Sequence, residues 1–365
     1  MGYENHQITI DGMTNRICII GHFGFGYNLL NGQTIKTHII ANELEKQMKD
    51  IVLSKIDTHN FKNKLLLLPR SFYALIKNDN IIILPAHNAL LIEVPWLILW
   101  NYIFNRNLHY VVIGGWLVSF LNKHIIVKRL LRSFDGIYVE TSSMKRTLEK
   151  DGFNNVNILR NCKSLLPLKD SDLNYSYTEP YRLVTFSRVM RQKGIEDVVH
   201  AVLSINQEVG RNILSLDIYG QVEEGEKDWF EKMMFEIPSD SPINYCGTVA
   251  FNASTKVLSQ YFALLFPTHF YTEGIPGTII DAYAAGLPVI AARWENFDDV
   301  IVDGITGFGY EFDDANEMRC LLYYFALNPE KIYSKRLNCL KKAQDFLPEN
   351  AFSSFVGIIK SCGMK

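Results

Sequence analysis

The most constraining feature of this chain is a repeated alternation. Short runs rich in Ile, Val and Leu, closed by Gly, Pro or Asn turns, alternate with longer amphipathic stretches. Runs that are apolar at every position suit strands buried on both faces, and stretches with a 3.6-residue apolar period suit helices. Such alternation builds a mostly parallel α/β sheet covered on both sides. It predicts strands near 16–20, 50–56, 81–85, 110–114, 136–140 and 157–159. Residues 161–180 lose all periodicity and read as a linker. The alternation then restarts, with strands over 182–187, 214–219, 243–246, 262–266 and 289–292, a helix over 194–209, and helical sequence from Ala315 onward. A chain of 365 residues is long for one domain. The expected division is 1–165, 166–345 and a last helix in 346–365, where Phe352, Phe355, Val356 and Ile359 follow helical spacing.

Charge and cysteine usage narrow the function. A net charge of −2 argues against a general nucleic-acid binder. The six cysteines form no Cys-x-x-Cys pair and no His/Cys cluster, so neither a disulfide framework nor a zinc site is expected, and the thiols fit a reducing, cytoplasmic setting. No N-terminal signal pattern is read. The most apolar region, 81–104, is broken by His87, Glu93 and Pro95, and reads as a buried strand and helix rather than a membrane span.

The chemistry is concentrated between Tyr271 and Ile290. An apolar run ends at Pro267, a Gly/Pro turn follows, and a helical pattern begins at Pro276-Gly277 and closes at Gly286 and Pro288. Free N–H groups and the helix dipole meet at such a corner, which suits an anion. Glu273 and Asp281 are its only acids, eight residues apart. Arg188 and Lys193 stand on the loop after the first strand of the second domain, where a fork-shaped cation and a point charge fit a diphosphate. In the first domain, Gly21-His-Phe-Gly-Phe-Gly26 and Asn31-Gly-Gln-Thr34 follow the first strand, without the Gly-x-Gly-x-x-Gly spacing. His87 follows a strand and could touch a sugar. Trp116 could stack on an acceptor or fill the core. Between 94 and 134 there is no acid, while Lys123, Lys128, Arg129, Arg132 and Arg106 are present. Lys128 and Arg132 are expected to share a helix face, either as a solvated edge or as a surface for anionic lipid.

Ser187-Arg-Val-Met-Arg-Gln-Lys-Gly194, the Glu273…Asp281 pair, Gly286-Leu-Pro-Val-Ile290 and Asp303-Gly-Ile-Thr-Gly-Phe308 together resemble a family 4 glycosyltransferase of GT-B fold. That family carries Glu-x7-Glu, and this chain has Glu-x7-Asp. The resemblance runs from about 181 to 310 and is similar in detail to enzymes of bacterial capsular and exopolysaccharide assembly. It implies two Rossmann-like domains facing a cleft, with the last helix crossing back to the first. It also implies a retaining, metal-independent transfer from a nucleotide-sugar, commonly UDP-linked, to a glycan or lipid-linked acceptor. Glu273 would hold the sugar hydroxyls and Asp281 the ribose. The turn Ile275, Pro276, Gly277 and Thr278 would hold phosphate or sugar oxygens, and Arg188 and Lys193 would neutralise the diphosphate. The backbone of Gly24 and Gly26 would approach that diphosphate from the first domain. No cofactor is implied. A nucleotide-sugar epimerase and a non-catalytic nucleotide-sugar or glycan-binding subunit stay open as alternatives.

Overall fold

A computed structural model describes residues 15–27, 29, 32–59 and 67–362 of the chain. It divides into two compact units, one holding residues up to 139, 145–159 and those from 352, the other 140–144 and 160–351.

In the first unit the strands are β1 (Asn15–Gly21), β2 (Ile51–Asp57), β3 (Asn80–Ile83), β4 (Asn107–Val111), β5 (Gly136–Val139) and β6 (Val156–Ile158). Between them lie α1 (Gly32–Gln47), α2 (Leu67–Lys77), α3 (His87–Phe104), α4 (Leu117–Lys123), α5 (Ile125–Leu131) and α6 (Ser142–Lys150). All six strands are parallel, in the order β2-β1-β3-β4-β5-β6. Ile17, Ile19, Ile20, Ile81, Ile82 and Ile83 are wholly buried, as continuous apolar strands covered on both faces require. β4 starts at Asn107, ahead of the expected 110, because its polar residues are paired rather than exposed. The Leu108 N–H donates to Asp135 at 2.8 Å. The His109 ring lies between the Asn80 amide oxygen, at 3.2 Å, and the Tyr138 hydroxyl, at 3.1 Å. Burial pushes the His109 imidazole down to about 3, so it stays neutral.

The second unit contains β7 (Tyr181–Phe186), α7 (Ile195–Val209), β8 (Leu214–Tyr219), α8 (Lys227–Glu236), β9 (Ile243–Gly247) and α9 (Ser254–Leu258). It continues with β10 (Ala263–Phe266), α10 (Gly277–Ala284), β11 (Val289–Ala292), α11 (Phe297–Val300) and β12 (Gly307–Tyr310). The helices α12 (Ala315–Leu327), α13 (Glu330–Tyr333), α14 (Arg336–Ala343) and α15 (Pro348–Ala351) complete it. Its six parallel strands run β12-β11-β10-β7-β8-β9, the doubly wound order of nucleotide-binding sheets. The order reverses at β7/β10 here and at β1/β3 in the first unit. Loops leaving the carboxyl ends of those strands diverge and leave a crevice, which is where ligands of such sheets bind.

The helix read over 346–365 is broken at Phe352. α15 belongs to the second unit, and α16 (Ser353–Cys362) packs in the first. There the Phe355 ring meets Tyr138 edge-on at 4.6 Å, and Asn15 Nδ2 donates to the Ile359 carbonyl at 3.3 Å.

Candidate functional site

The corner at the β7/β10 reversal is built by close backbone approach. Gly194 has φ +66°, and a Cβ placed on it would stand 1.9 Å from the Pro267 carbonyl oxygen. Only glycine lets the start of α7 lie so close to the end of β10. The contact places Lys193 beside the loop that carries Glu273. The Lys193 Nζ reaches Glu273 Oε2 at 2.6 Å and sits over the rings of Phe266, at 5.5 Å, and Phe270, at 5.1 Å. Glu273 is fixed from behind as well, since Asn296 Nδ2 donates to its carbonyl at 2.7 Å.

α10 opens as expected, with Pro276 in extended conformation just ahead of Gly277. Of the turn's residues, Pro276 has no N–H to donate, and Ile275 is buried with its carbonyl already bound by Asn161 Nδ2 at 3.0 Å. Gly277 and Thr278 supply the first-turn amides of α10. The Thr278 Oγ1 is itself buried with no hydrogen-bond partner. A buried hydroxyl in that state is unfavourable by about 1–3 kcal/mol.

Asp281 lies one helical turn further on and is only 2% exposed. Its carboxylate accepts from Lys163 Nζ and, at 3.0 Å, from Ser254 Oγ. Burial raises its pKa, and Lys163 and Ser254 only partly offset this. A ribose hydroxyl reaching Asp281 has to displace or share one of these partners. Lys163 sits in the aperiodic stretch read as a linker, where no local pattern marks it. Its only sequence signal is that an acid buried at 281 needs a cation. Removing that cation in Lys163→Met should lower stability at neutral pH by about 2–4 kcal/mol, because a buried carboxylate loses its partner. The deficit should shrink as pH falls through the raised folded pKa and Asp281 takes up a proton. Adding Asp281→Asn should recover most of it. Denaturant melts of both variants at two pH values check this, and an additive double variant would refute it.

Arg188 is paired away from Glu273, with Glu223. Val189 N–H donates to the Gln221 carbonyl at 2.9 Å, and Glu223 N–H donates to the Val189 carbonyl at 3.0 Å. The loops after β7 and β8 are thus zipped together, and Arg188 pairs with Glu223 at 3.0 Å with 64% of its side chain exposed. Arg191 pairs similarly with Glu226 at 3.1 Å.

In the first unit, the glycine loop closes on a carboxylate that sequence reasoning missed. Asp57, the last residue of β2, accepts from the N–H groups of Phe23 at 2.9 Å, Gly24 at 3.1 Å and Phe25 at 2.8 Å. Burial pushes its pKa up, but these amides and that of His59 outweigh this and leave it lowered. The amide of Gly24 is therefore committed to Asp57 and is not offered to a diphosphate. Gly26 has φ +85° and its Cβ position is open. Asn31 of the same loop lies outside the described residues. His22 bridges Thr34 Oγ1, at 2.7 Å, and His59 Nδ1, at 2.9 Å. Burial and the neighbouring His59 ring hold its imidazole below the usual range.

A cavity of roughly 300 Å³ opens at the β1/β3 reversal, lined by His22, Gln33, Thr58, Leu68, His87 and Ile92 among others. His87 is exposed and stacks on Trp116 with ring centres 3.8 Å apart. Trp116 is half-buried, and its indole N–H donates to the Ile113 carbonyl at 2.8 Å, so it is not a core residue. On α5, Lys128 pairs with Asp151 at 2.7 Å, and Arg132 donates to the Asp151 carbonyl. Those two cations are engaged with Asp151, whereas Lys123 and Arg129 are exposed. Among the described residues, no group of three or more His, Cys, Asp or Glu could hold a metal ion.

Comparison with known proteins agrees with this geometry. Residues 180–321, which include Lys193, Glu273 and α10, match the sequence family described as Glycosyl transferases group 1. No curated protein sequence matches the chain. Among solved structures, Anabaena HepE in complex with UDP-glucose is similar at TM-score 0.70 and 14% identity, with 95% of this chain and 99% of that one covered. Sucrose-phosphate synthase from Thermosynechococcus elongatus is similar at TM-score 0.72 and 15% identity, covering 95% and 98%. TarM from S. aureus, in complex with fondaparinux, α-GlcNAc-glycerol and UDP, gives TM-score 0.61 at 15% identity over 80% of this chain and 58% of TarM. The chain has the two-sheet α/β architecture of GT-B glycosyltransferases, and residues 180–321 of its second unit are similar to Glycosyl transferases group 1.

Proposed function

We propose that this protein transfers a sugar from a nucleotide-diphosphate sugar, a UDP-sugar, to a glycan or lipid-linked acceptor in surface polysaccharide assembly, with retention and without a metal. The observation that carries the reading is the Lys193–Glu273 pair at 2.6 Å, set at the sheet reversal beside the open first turn of α10. In the transfer, the bond from the sugar's anomeric carbon to the diphosphate oxygen breaks. A bond to the acceptor hydroxyl oxygen forms on the same face, and the hydroxyl proton passes to the departing diphosphate. The hard part is the charge developing on that phosphate, and a fixed ammonium with helix-terminal amides stabilises it in place. Lys193 and the Gly277 and Thr278 amides take that role, and Glu273 accepts from the sugar hydroxyls. Arg188 supplies a second cation. Its exposed pair with Glu223 is worth about 0–1 kcal/mol, so exchange for a diphosphate costs little. The UDP-bound complexes of HepE and TarM support the choice of donor.

Thermal melts against UDP-glucose, UDP-GlcNAc and GDP-mannose, with magnesium or with EDTA, test this. One UDP-sugar at a hundredfold excess over its Kd should raise the melting temperature by about 5–10 °C, and EDTA should leave that rise intact. No stabilisation by any nucleotide sugar would sink the reading, and stabilisation only with magnesium would sink its metal-independent form. Turnover of the donor with no acceptor present, to an isomeric nucleotide sugar, would make it an epimerase instead.

A further inference from the structure

Helix α3 contradicts the usual rule for surface helices. Its one charged residue, Glu93, is buried, and its inward residues Leu90, Val94 and Leu97 are fully covered. A helix that is apolar all round normally has neighbours on every side. Here the outward face is open: Leu99 is 62% exposed, Tyr102 94% and Ile103 66%. Leu91, Pro95, Leu99 and Tyr102 fall at the i, i+4, i+8, i+11 spacing that forms one stripe. α5 lies alongside and continues the surface with Ile125 and Ile126, which are 63% and 69% exposed. A groove of roughly 380 Å³ joins the two helices, lined by Leu91, Pro95, Lys123, His124, Ile125 and Ile126.

Charge decides what covers this face. No acid occurs between 94 and 134, while Lys123 borders the groove and Arg129 lies one turn from Ile125 on α5. Large apolar side chains rimmed by unopposed cations complement an anionic lipid surface, where the side chains enter the acyl boundary and the cations meet phosphate. No helix among the described residues is long and apolar enough to cross a membrane, so such docking is peripheral. We infer that the α3/α5 face is a membrane-docking surface for anionic phospholipid, seated by Leu99, Tyr102, Ile125 and Ile126 and rimmed by Lys123 and Arg129. Lys128 and Arg132 are held by Asp151 and are not needed for docking. α3 also carries His87 and Ile92 of the cavity at its amino-terminal end, so a docked α3 holds that cavity close to the lipid surface. The inference does not depend on the sugar-transfer reading.

Sedimentation with vesicles tests it directly. The full chain should sediment with mixed phosphatidylcholine/phosphatidylglycerol vesicles and about tenfold less with phosphatidylcholine alone. Ile125→Ser/Ile126→Ser and Lys123→Glu/Arg129→Glu should each cut binding about tenfold at an unchanged melting temperature. Added salt should weaken the wild type but leave the charge-reversed variant nearly unaffected. No sedimentation with the anionic vesicles, or wild-type binding by both double variants, overturns the inference. A dimer seen by light scattering and dissolved by Ile125→Ser/Ile126→Ser would assign the face to a second copy and overturn it too.

Discussion

Glu273→Ala should reduce sugar transfer by roughly 10²–10³-fold, the scale on which single preorganised electrostatic groups act in active sites. Two losses combine. The sugar loses its acceptor of hydroxyl hydrogen bonds, and Lys193 loses the partner that aims it. The Lys193 side chain is 11% exposed, and its ammonium is held by that single ion pair and two ring faces. Released from Glu273, it turns toward water, and the charge that should await the departing phosphate is no longer fixed. Glu273→Gln separates the two effects, because the amide keeps hydrogen-bonding oxygen but no longer anchors the ammonium. Steady-state assays with the donor found in the melts provide the measurement, with the melting temperature as a folding control. Transfer at the wild-type rate by Glu273→Ala would remove this residue from the site.

Gly194→Ala should strongly destabilise the second unit. A left-handed φ costs a non-glycine residue about 1–2 kcal/mol. The new methyl would also stand 1.9 Å from the Pro267 carbonyl oxygen, which is backbone and cannot rotate away. The two together should exceed about 4 kcal/mol and lower the melting temperature by roughly 8–16 °C. Gly210 is the matched control, at φ +74° with nothing within 4 Å of its Cβ position. Gly210→Ala carries only the dihedral term and should cost about 1–2 kcal/mol. Equal losses in the two variants would show that the close approach at Pro267 contributes nothing. Donor affinity should fall in Gly194→Ala and not in Gly210→Ala, since only the former moves Lys193.

What was legible in the sequence followed from periodicity. The strand over 289–292 stands where expected because its residues are apolar on both faces, and that over 214–219 because Leu214, Leu216 and Ile218 line one face. The start of α10 was readable because Pro276 and Gly277 have few other uses. Partners brought by the fold were not readable. Lys163 meets Asp281 across 118 residues and Asp57 meets the glycine loop across more than 30, and neither spacing leaves a local pattern. The partner of Arg188 was hidden for the same reason: its pairing with Glu223 is set by the joining of the β7 and β8 loops, which depends on sheet order. The apolar face of α3 was hidden too, because an exposed leucine and a buried one look alike in sequence.

The position of α16 has a consequence for how the molecule is made. Phe355, Val356 and Ile359 fill the core of the first unit but are synthesised after the whole of the second. Residues 160–351 can finish their own core on the ribosome before α16 is made, whereas the first unit's sheet waits for that helix. The order of completion is thus the reverse of the order of synthesis. Until α16 emerges, the unfinished sheet is a natural client for chaperones, and a premature stop that spares the whole second unit would still leave the first without its closing wedge.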